Sequence, residues 1–399
     1  MKALLLENVH PAALDLLTER GIEVTSLDGA LEGEELIQAL NGIDILGIRS
    51  RTYVTKDVIN ACPQLKTIGA FCIGTNQIDV AHATQAGIPV FNAPFSNTRS
   101  VVELVIGEII ALARHLTDQN TKMQEGIWVK SAKGAHEVRG RTLGIVGYGN
   151  IGSQLSVLAE SLGMRVVFYD IADKLALGNA VRCETLDELL RISDVVSLHV
   201  DGRKENTGFF TRDMINAMKP RAFLMNLCRG MVVDMDGLKE ALESGHIAGA
   251  AIDVFPQEPA NSGDEFVCQL QGIDNVILTP HIGGSTAEAQ EDIGQYVAGK
   301  LVDYSLFGAT SMSVNIPQVH MDTSGVSRIL HHHANVPGVL AKVNTIYSSH
   351  GVNVETQQLS TRGTVGYAVT DIDAPMTDEL LGELESLPET IRVTHISRA

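Results

Sequence analysis

Cysteine is scarce and scattered. The five, Cys62, Cys72, Cys183, Cys228 and Cys268, are odd in number and contain no C-x-x-C pair. That fits free thiols in a reducing compartment far better than a disulfide framework or a cysteine zinc site. Basic residues are outnumbered, 30 Lys and Arg against 48 Asp and Glu, for a net charge of −18. Such a balance argues against a nucleic-acid or anionic-membrane binder, although a locally basic pocket can still take an anion. A long uninterrupted apolar run is also missing. The most apolar region, 101–116, carries Glu103, Glu108 and Arg114, and the apolar run within residues 1–7 is too short for a signal-peptide core. No short-period repeat or low-complexity tract is present. With 44% apolar and 20% charged residues, the 399-residue chain is neither disordered, collagen-like nor coiled-coil. What remains is a soluble, cytoplasmic, globular chain of two or three domains, able to bury a core without disulfide or metal.

Three blocks follow one another. In residues 1–96, short apolar strand candidates (3–6, 43–48, 66–70, 89–92) alternate with helical stretches such as 11–20 and 33–40, the pattern of a parallel sheet covered by helices. Ser100-x-x-Glu103 reads as a capping box opening a long helix to about Leu116. Its side chains are apolar nearly all round, which predicts burial, with a second subunit as one possible cover. A second strand–helix series begins near Gly140, with strand candidates at 142–147, 165–169, 195–199, 222–226, 248–253 and 276–279. After Asn315-Ile316-Pro317 the rhythm changes to strand, helix, two strands, helix, strand, the βαββαβ order of a ferredoxin-like domain.

The strongest local signal is Gly147-Tyr148-Gly149-Asn150-Ile151-Gly152, preceded by a strand and followed by a helix. Glycines allow the tight turn and the close approach of backbone N–H groups to a pyrophosphate, and the helix N-terminus favours that anion. Asp170, 18 residues past Gly152, ends the next strand, where a carboxylate accepts from a ribose 2′-hydroxyl and repels a 2′-phosphate. The cofactor expected is therefore NAD. Three more polar residues lie just past strand ends of this block: Arg229, Glu258 and His281, at spacings of 29 and 23. Oxidation at a hydroxyl-bearing carbon needs a proton acceptor, which histidine supplies. A carboxylate would orient the imidazole, and a guanidinium can hold a substrate carboxylate by two hydrogen bonds. Each also has an ordinary reading: a loop or core histidine, a solvated glutamate between prolines, an arginine in a surface ion pair.

The segments Arg229-Gly230, Asp253-Val254-Phe255 with Glu258-Pro259, and Thr279-Pro280-His281-Ile282-Gly283-Gly284 resemble the signatures of the D-isomer-specific 2-hydroxyacid dehydrogenases. The likeness extends to Ile48-Arg49-Ser50-Arg51-Thr52, Ile73-Gly74-Thr75-Asn76-Gln77, residues 92–101 and residues 283–290, and so to essentially the whole chain, third block included. The resemblance implies two doubly wound α/β domains, a flavodoxin-like substrate domain (1–96 and 284–324) and a Rossmann NAD domain (97–283), whose cleft closes on substrate. A ferredoxin-like ACT regulatory domain (325–399) completes the chain. The same resemblance makes Arg229 the carboxylate binder, His281 the acid/base and Glu258 its support. It places further cofactor contacts at Cys228, Asp253, His281 and Gly284, and substrate contacts at Arg49, Ser50, Arg51, Asn97 and Gln290. Two arginines flanking a serine at a strand end suit a phosphate.

In the third block, residues 333–340 and 351–354 resemble an ACT effector loop and the strand that follows it. By that likeness His333, Asn335 and Asn353 bind L-serine between two regulatory domains. No metal is expected at His331-His332-His333, which lacks an acidic or cysteine partner. Two features depart from the family pattern. Cys228 stands where serine is usual, and Val326 follows Gly325 where a Gly-Gly hinge is usual, which restricts rotation. The resulting expectation is an NAD-dependent homotetrameric oxidoreductase. It would oxidise 3-phospho-D-glycerate to 3-phosphooxypyruvate in the first step of L-serine synthesis under serine feedback, with a side activity on 2-oxoglutarate. The rivals are a glyoxylate or hydroxypyruvate reductase, a nicotinamide-sensing corepressor-like binding protein, and a tail that serves assembly alone.

Overall fold

The computed structural model describes residues 1–259, 263–321 and 326–397. Its contacts divide the chain into two compact units, Met1–Ser96 with Gln290–Ala399, and Asn97–Ala289.

The first unit is built on short strands: β1 (Lys2–Leu5), β2 (Glu23–Ser26), β3 (Ile45–Ile48), β4 (Thr67–Ala70) and β5 (Val90–Asn92). All pair in parallel, in the order β2-β1-β3-β4-β5. β3 and β4 are buried at every position, as parallel strands covered on both faces must be. Sequence patterning predicts four of the five. β2 escapes because it is a mostly exposed edge strand, Glu-Val-Thr-Ser, with no apolar run. The helices Lys56–Ala61 and Val80–Gln85 go unpredicted because six residues are too few to show a helical period.

In the second unit, β6 (Thr142–Val146), β7 (Arg165–Tyr169), β8 (Val181–Arg182), β9 (Val195–Leu198), β10 (Ala222–Asn226), β11 (Ile247–Ile252) and β12 (Val276–Leu278) form one parallel sheet. Its order is β12-β11-β10-β9-β6-β7-β8, a doubly wound sheet whose order reverses between β6 and β9. The long helix spans Thr98–Arg114, beginning two residues before the expected capping box. Asn97 is the N-cap residue, Ser100 Oγ donates instead to Gly283 O at 2.6 Å, and Glu103 pairs with Arg99 on the surface. Ser100 thus lies a turn too deep to cap the helix and serves the loop at Gly283. Nor is the helix buried all round within this chain. Val101, Val105, Ile109 and Leu112 pack inward, while Glu103, Gly107, Ile110 and Arg114 form an exposed stripe.

The third block forms β13 (Ser327–Ala334), β14 (Val354–Arg362), β15 (Val365–Ile372) and β16 (Thr390–Ser397), an antiparallel sheet of order β14-β15-β13-β16. With helices Val339–Ser349 and Asp378–Ser386 this is the expected βαββαβ arrangement. Alternation along β13 splits its side chains between two cores. Ile329 joins Val343, Tyr347 and Leu384 under the helices, and Leu330 joins Tyr367, Val369 and Leu301 in the core shared with the first sheet. Arg328 and Asp371, both fully buried, make two hydrogen bonds of 2.6 Å each. Arg328 also reaches Phe307 O at 2.8 Å, Tyr367 Oη reaches Gly308 O at 2.6 Å, and Arg392 reaches Leu65 O at 2.7 Å. The expected hinge residue Gly325 lies outside the described residues. Its neighbour Val326 donates its N–H to Ile372 O at 2.9 Å.

Candidate active site

β6 is followed by Gly147 at φ 94°, where a Cβ would stand 2.6 Å from His199 O, and a Cβ on Gly152 would stand 2.4 Å from Gly147 O. Both positions need glycine for the backbone to fold as it does. Gly149 faces open space and is the N-cap of helix Asn150–Ser161 with no side chain capping it. The N–H groups of the first turn, which includes Asn150 and Ile151, therefore keep the capacity to meet an anion. Tyr148 turns its ring inward against Phe168 (centroids 3.8 Å) and its N–H to Asp170 Oδ2 at 2.8 Å. Asp170 also accepts from Ala172 N at 2.8 Å, so its carboxylate is held in place at the end of β7. An open glycine, an uncapped helix start and a fixed carboxylate at the next strand end fit a dinucleotide.

Glu258 and His281 meet: Nδ1 lies 2.8 Å from Glu258 Oε2, and Glu258 Oε1 accepts from Phe255 N at 3.0 Å. His281 sits in the left-handed region at φ 54°, a position costly for a side-chain-bearing residue and held by its surroundings. Asp253, 1% exposed, does the holding. Its Oδ1 accepts from Thr279 Oγ1 at 2.6 Å and Ile282 N at 2.8 Å, and its Oδ2 from Gly283 N at 2.8 Å. The hydrogen bond that Nδ1 donates to Glu258 raises the imidazole above its ordinary pKa, against a smaller opposing effect of burial. Burial pushes the Glu258 carboxyl up, and the bonds from His281 and Phe255 N outweigh it, leaving the group below its usual value. Arg229 follows β10, with its Nη1 on Cys228 O at 2.6 Å. It lies across Gly202, where a Cβ would be 3.1 Å from Nε. Its positive charge is felt by both Glu258 and His281. Asn97 keeps a buried carboxamide oxygen with no hydrogen-bond partner among the described residues, and Gly284 leaves its side chain room, since a Cβ there would meet Nδ2 at 2.5 Å.

The family model for the NAD binding domain of D-isomer specific 2-hydroxyacid dehydrogenases matches residues 106–283, and an AHAS small subunit-like ACT domain matches 329–392. A D-3-phosphoglycerate dehydrogenase of Haemophilus influenzae is 51% identical over 98% of this chain and 96% of its own length. The chain belongs to the D-isomer specific 2-hydroxyacid dehydrogenase family. A D-3-phosphoglycerate dehydrogenase of Dictyostelium discoideum is 47% identical over the same two shares, 98% and 96%. Among solved structures, D-2-hydroxyisocaproate dehydrogenase matches with a TM-score of 0.71 at 25% identity, covering 79% of this chain and 100% of its own. As a member of this family the chain is an oxidoreductase, and NAD is its cofactor.

The other family positions are placed as follows. Cys228 is 7% exposed, its thiol turned to Asn226 Oδ1 at 3.1 Å and pushed by burial to about 11, so it stands as a neutral donor inside the turn. Arg49, Ser50 and Arg51 follow β3 in the first unit, and Gln290 lies half-buried in the first turn of helix Ala287–Phe307. In the third block His333 is buried, its Nδ1 2.8 Å from Ala334 O. Asn335 binds the β14–β15 hairpin through Gly363 O at 2.9 Å, whereas the Asn353 N–H binds Asp373 at 3.0 Å. Ala334 pairs with Val365 and Ser327 with Ile372, so Asn335 and Asn353 stand at opposite ends of the sheet. One chain does not bring them together.

Sequence reasoning missed the loop-building part of Asp253, and it missed Glu7 and Gln77 beneath the Arg49–Arg51 loop. A lone acid or amide past a strand carries no pattern of its own; only the partners reveal it.

Proposed function

We propose that the chain oxidises 3-phospho-D-glycerate to 3-phosphooxypyruvate, the first step of L-serine synthesis. The 2.8 Å contact between His281 and Glu258, both of which feel the charge of Arg229, carries the reading. NAD, held by the turn from Gly147 to Gly152 and by Asp170, would supply the hydride acceptor for C2 when bound. Glu258 fixes Nδ1 as the protonated nitrogen, which leaves Nε2 to take the hydroxyl proton, and the raised imidazole pKa favours keeping it. Arg229 holds the substrate carboxylate and steadies the developing carbonyl oxygen. Asn97 completes the substrate contacts of the second unit. Arg49, Ser50 and Arg51 supply the donors for the phosphate, and 2-oxoglutarate is a side substrate whose second carboxylate replaces it.

We assign residues 97–283 to NAD, 1–96 with 284–324 to substrate, and 325–399 to regulation. The regulatory ligand is L-serine, taken by His333 and Asn335 of one chain with Asn353 of another. Their separation within one chain supports a shared site. A cytoplasmic homotetramer fits this arrangement: regulatory pairs through β14, and catalytic pairs over the exposed Ile127, Trp128 and Val129, of which Trp128 is 77% exposed. The five free cysteines suit that compartment.

A substrate panel with NAD and NADP, run with and without L-serine, tests the substrate, the cofactor preference and the regulation. Expected are NADH formation from 3-phosphoglycerate and its suppression by serine. A preference for unphosphorylated 2-oxo acids would make the protein a simple reductase, no turnover would make it a nicotinamide sensor, and indifference to serine would confine the tail to assembly.

A further inference from the structure

Glu7 stands two residues past β1 in the left-handed region, at φ 66°, and is 2% exposed. β1 and β3 are the neighbours at which the strand order of the first sheet reverses. Open α/β sheets bind ligands beyond the carboxyl ends of the strands at such a point. Of the four consecutive N–H groups from 49 to 52, three converge on the Glu7 carboxylate. Arg49 and Thr52 donate to Oε1 at 3.1 and 2.9 Å, and Arg51 donates to Oε2 at 2.9 Å. This is an anion nest filled from inside the protein. The fourth, Ser50, lies at the exposed apex. The Arg51 guanidinium remains near, Nε being 3.8 Å from Oε2. On its carbonyl side the same loop is held by Gln77, 4% exposed, whose Nε2 donates to Arg49 O at 2.5 Å and Gly74 O at 3.3 Å.

We infer that Glu7 is a positioning residue for phosphate recognition, shaping the Arg49–Arg51 loop before the substrate arrives; this rests on the reading that the loop takes the substrate phosphate. With its N–H groups bound to Glu7, the loop cannot wrap its own backbone round an anion. The phosphate is then met by Ser50 and by the two guanidinium groups at the loop surface. The buried carboxylate also lowers the repulsion between those two cations in the free enzyme. A loop already ordered forfeits less entropy on binding, so the gain falls on phosphorylated substrates alone. Gln77 fixes the opposite edge of the Arg49 peptide and acts with Glu7.

The test is the full-length enzyme and its Glu7→Gln variant. An amide keeps one acceptor oxygen and turns a second donor toward the loop N–H groups, so at least one buried donor loses its partner. The measurement is kcat/KM for reduction of 3-phosphooxypyruvate divided by that for hydroxypyruvate, with NADH affinity by fluorescence as a check on folding. Glu7→Gln should lower the ratio about tenfold or more with NADH affinity unchanged, and Glu7→Asp should lower it less. An equal fall for both substrates would reduce Glu7 to a structural role and overturn the inference. A ratio unchanged in Glu7→Gln but collapsed in Arg49→Ala overturns the inference and leaves the phosphate reading standing. A ratio unchanged in both variants overturns that reading and the inference with it.

Discussion

The loop that carries His281 and the loop that carries Arg49 and Arg51 are built by one device in two different sheets. Each hangs on a buried carboxylate just past a strand that accepts three hydrogen bonds: Asp253 from Thr279 Oγ1, Ile282 N and Gly283 N, and Glu7 from three backbone N–H groups. The difference lies in what stands on top. The catalytic loop presents one imidazole whose second carboxylate, Glu258, tunes its proton. The other loop presents two guanidinium groups and a hydroxyl, those of Arg49, Arg51 and Ser50. A buried acid can thus serve geometry in both places, and chemistry enters only where another titratable group adjoins it. Glu108 marks the opposite extreme. It is 4% exposed, neither of its oxygens has a hydrogen-bond partner among the described residues, and burial with the nearby Asp253 charge pushes its carboxyl up to about 8.

The widest break between the two loops comes from His281→Ala. It removes the titrating group and should cut turnover roughly 10²- to 10⁴-fold, with NADH affinity by fluorescence unchanged. Equal loss of both would contradict the assignment of His281. Next in size is Glu108→Gln, which contrasts a bare buried acid with the clad ones. The folded-state value near 8 lies above the ordinary 4.5, so folding must capture a proton as pH rises between them. Wild-type stability should therefore decline across that window, while the variant is spared. The gap, read by denaturant unfolding at pH 5 and pH 8, should reach on the order of a few kcal/mol. A gap that stays constant with pH would show Glu108 ionised in the fold. The smallest effect is Glu258→Gln. Oxidation needs a neutral His281, and Glu258 holds the imidazole above its ordinary value. The acid limb of the pH–rate profile should therefore move to lower pH in the variant, and a limb that does not move would separate Glu258 from the proton.

Much of this was legible before any coordinates. Gly147-x-Gly149-x-x-Gly152 with Asp170 carries local rules of its own, because a tight turn, an uncapped helix and a strand-end acid are all short-range. The ferredoxin-like block was readable from its alternation, and β13 delivers it by sending Ile329 and Leu330 into different cores. The capping box failed because Ser100 had a long-range partner, Gly283 O, worth more to it than the helix end. Tyr148 and Cys228, expected on the cofactor, turn their side chains inward to Ser156 and Asn226, which leaves only their backbone to meet a ligand. Backbone approach to a ligand leaves a side chain available to the core, and nothing in the string of letters says which will happen.

By itself the sequence determined the three blocks, the parallel and antiparallel character of their sheets and the dinucleotide turn, while Arg229, Glu258 and His281 came as a set only through the family resemblance. Hydrophobic period and glycine placement act over a few residues. Tertiary structure alone decided which acids are clad and which are bare. It also decided that Asp253 and Glu7 build loops and that Asn335 and Asn353 stand at opposite ends of one sheet. Those outcomes depend on which backbone donors arrive beside a side chain from dozens of residues away, and only the closed fold brings them there.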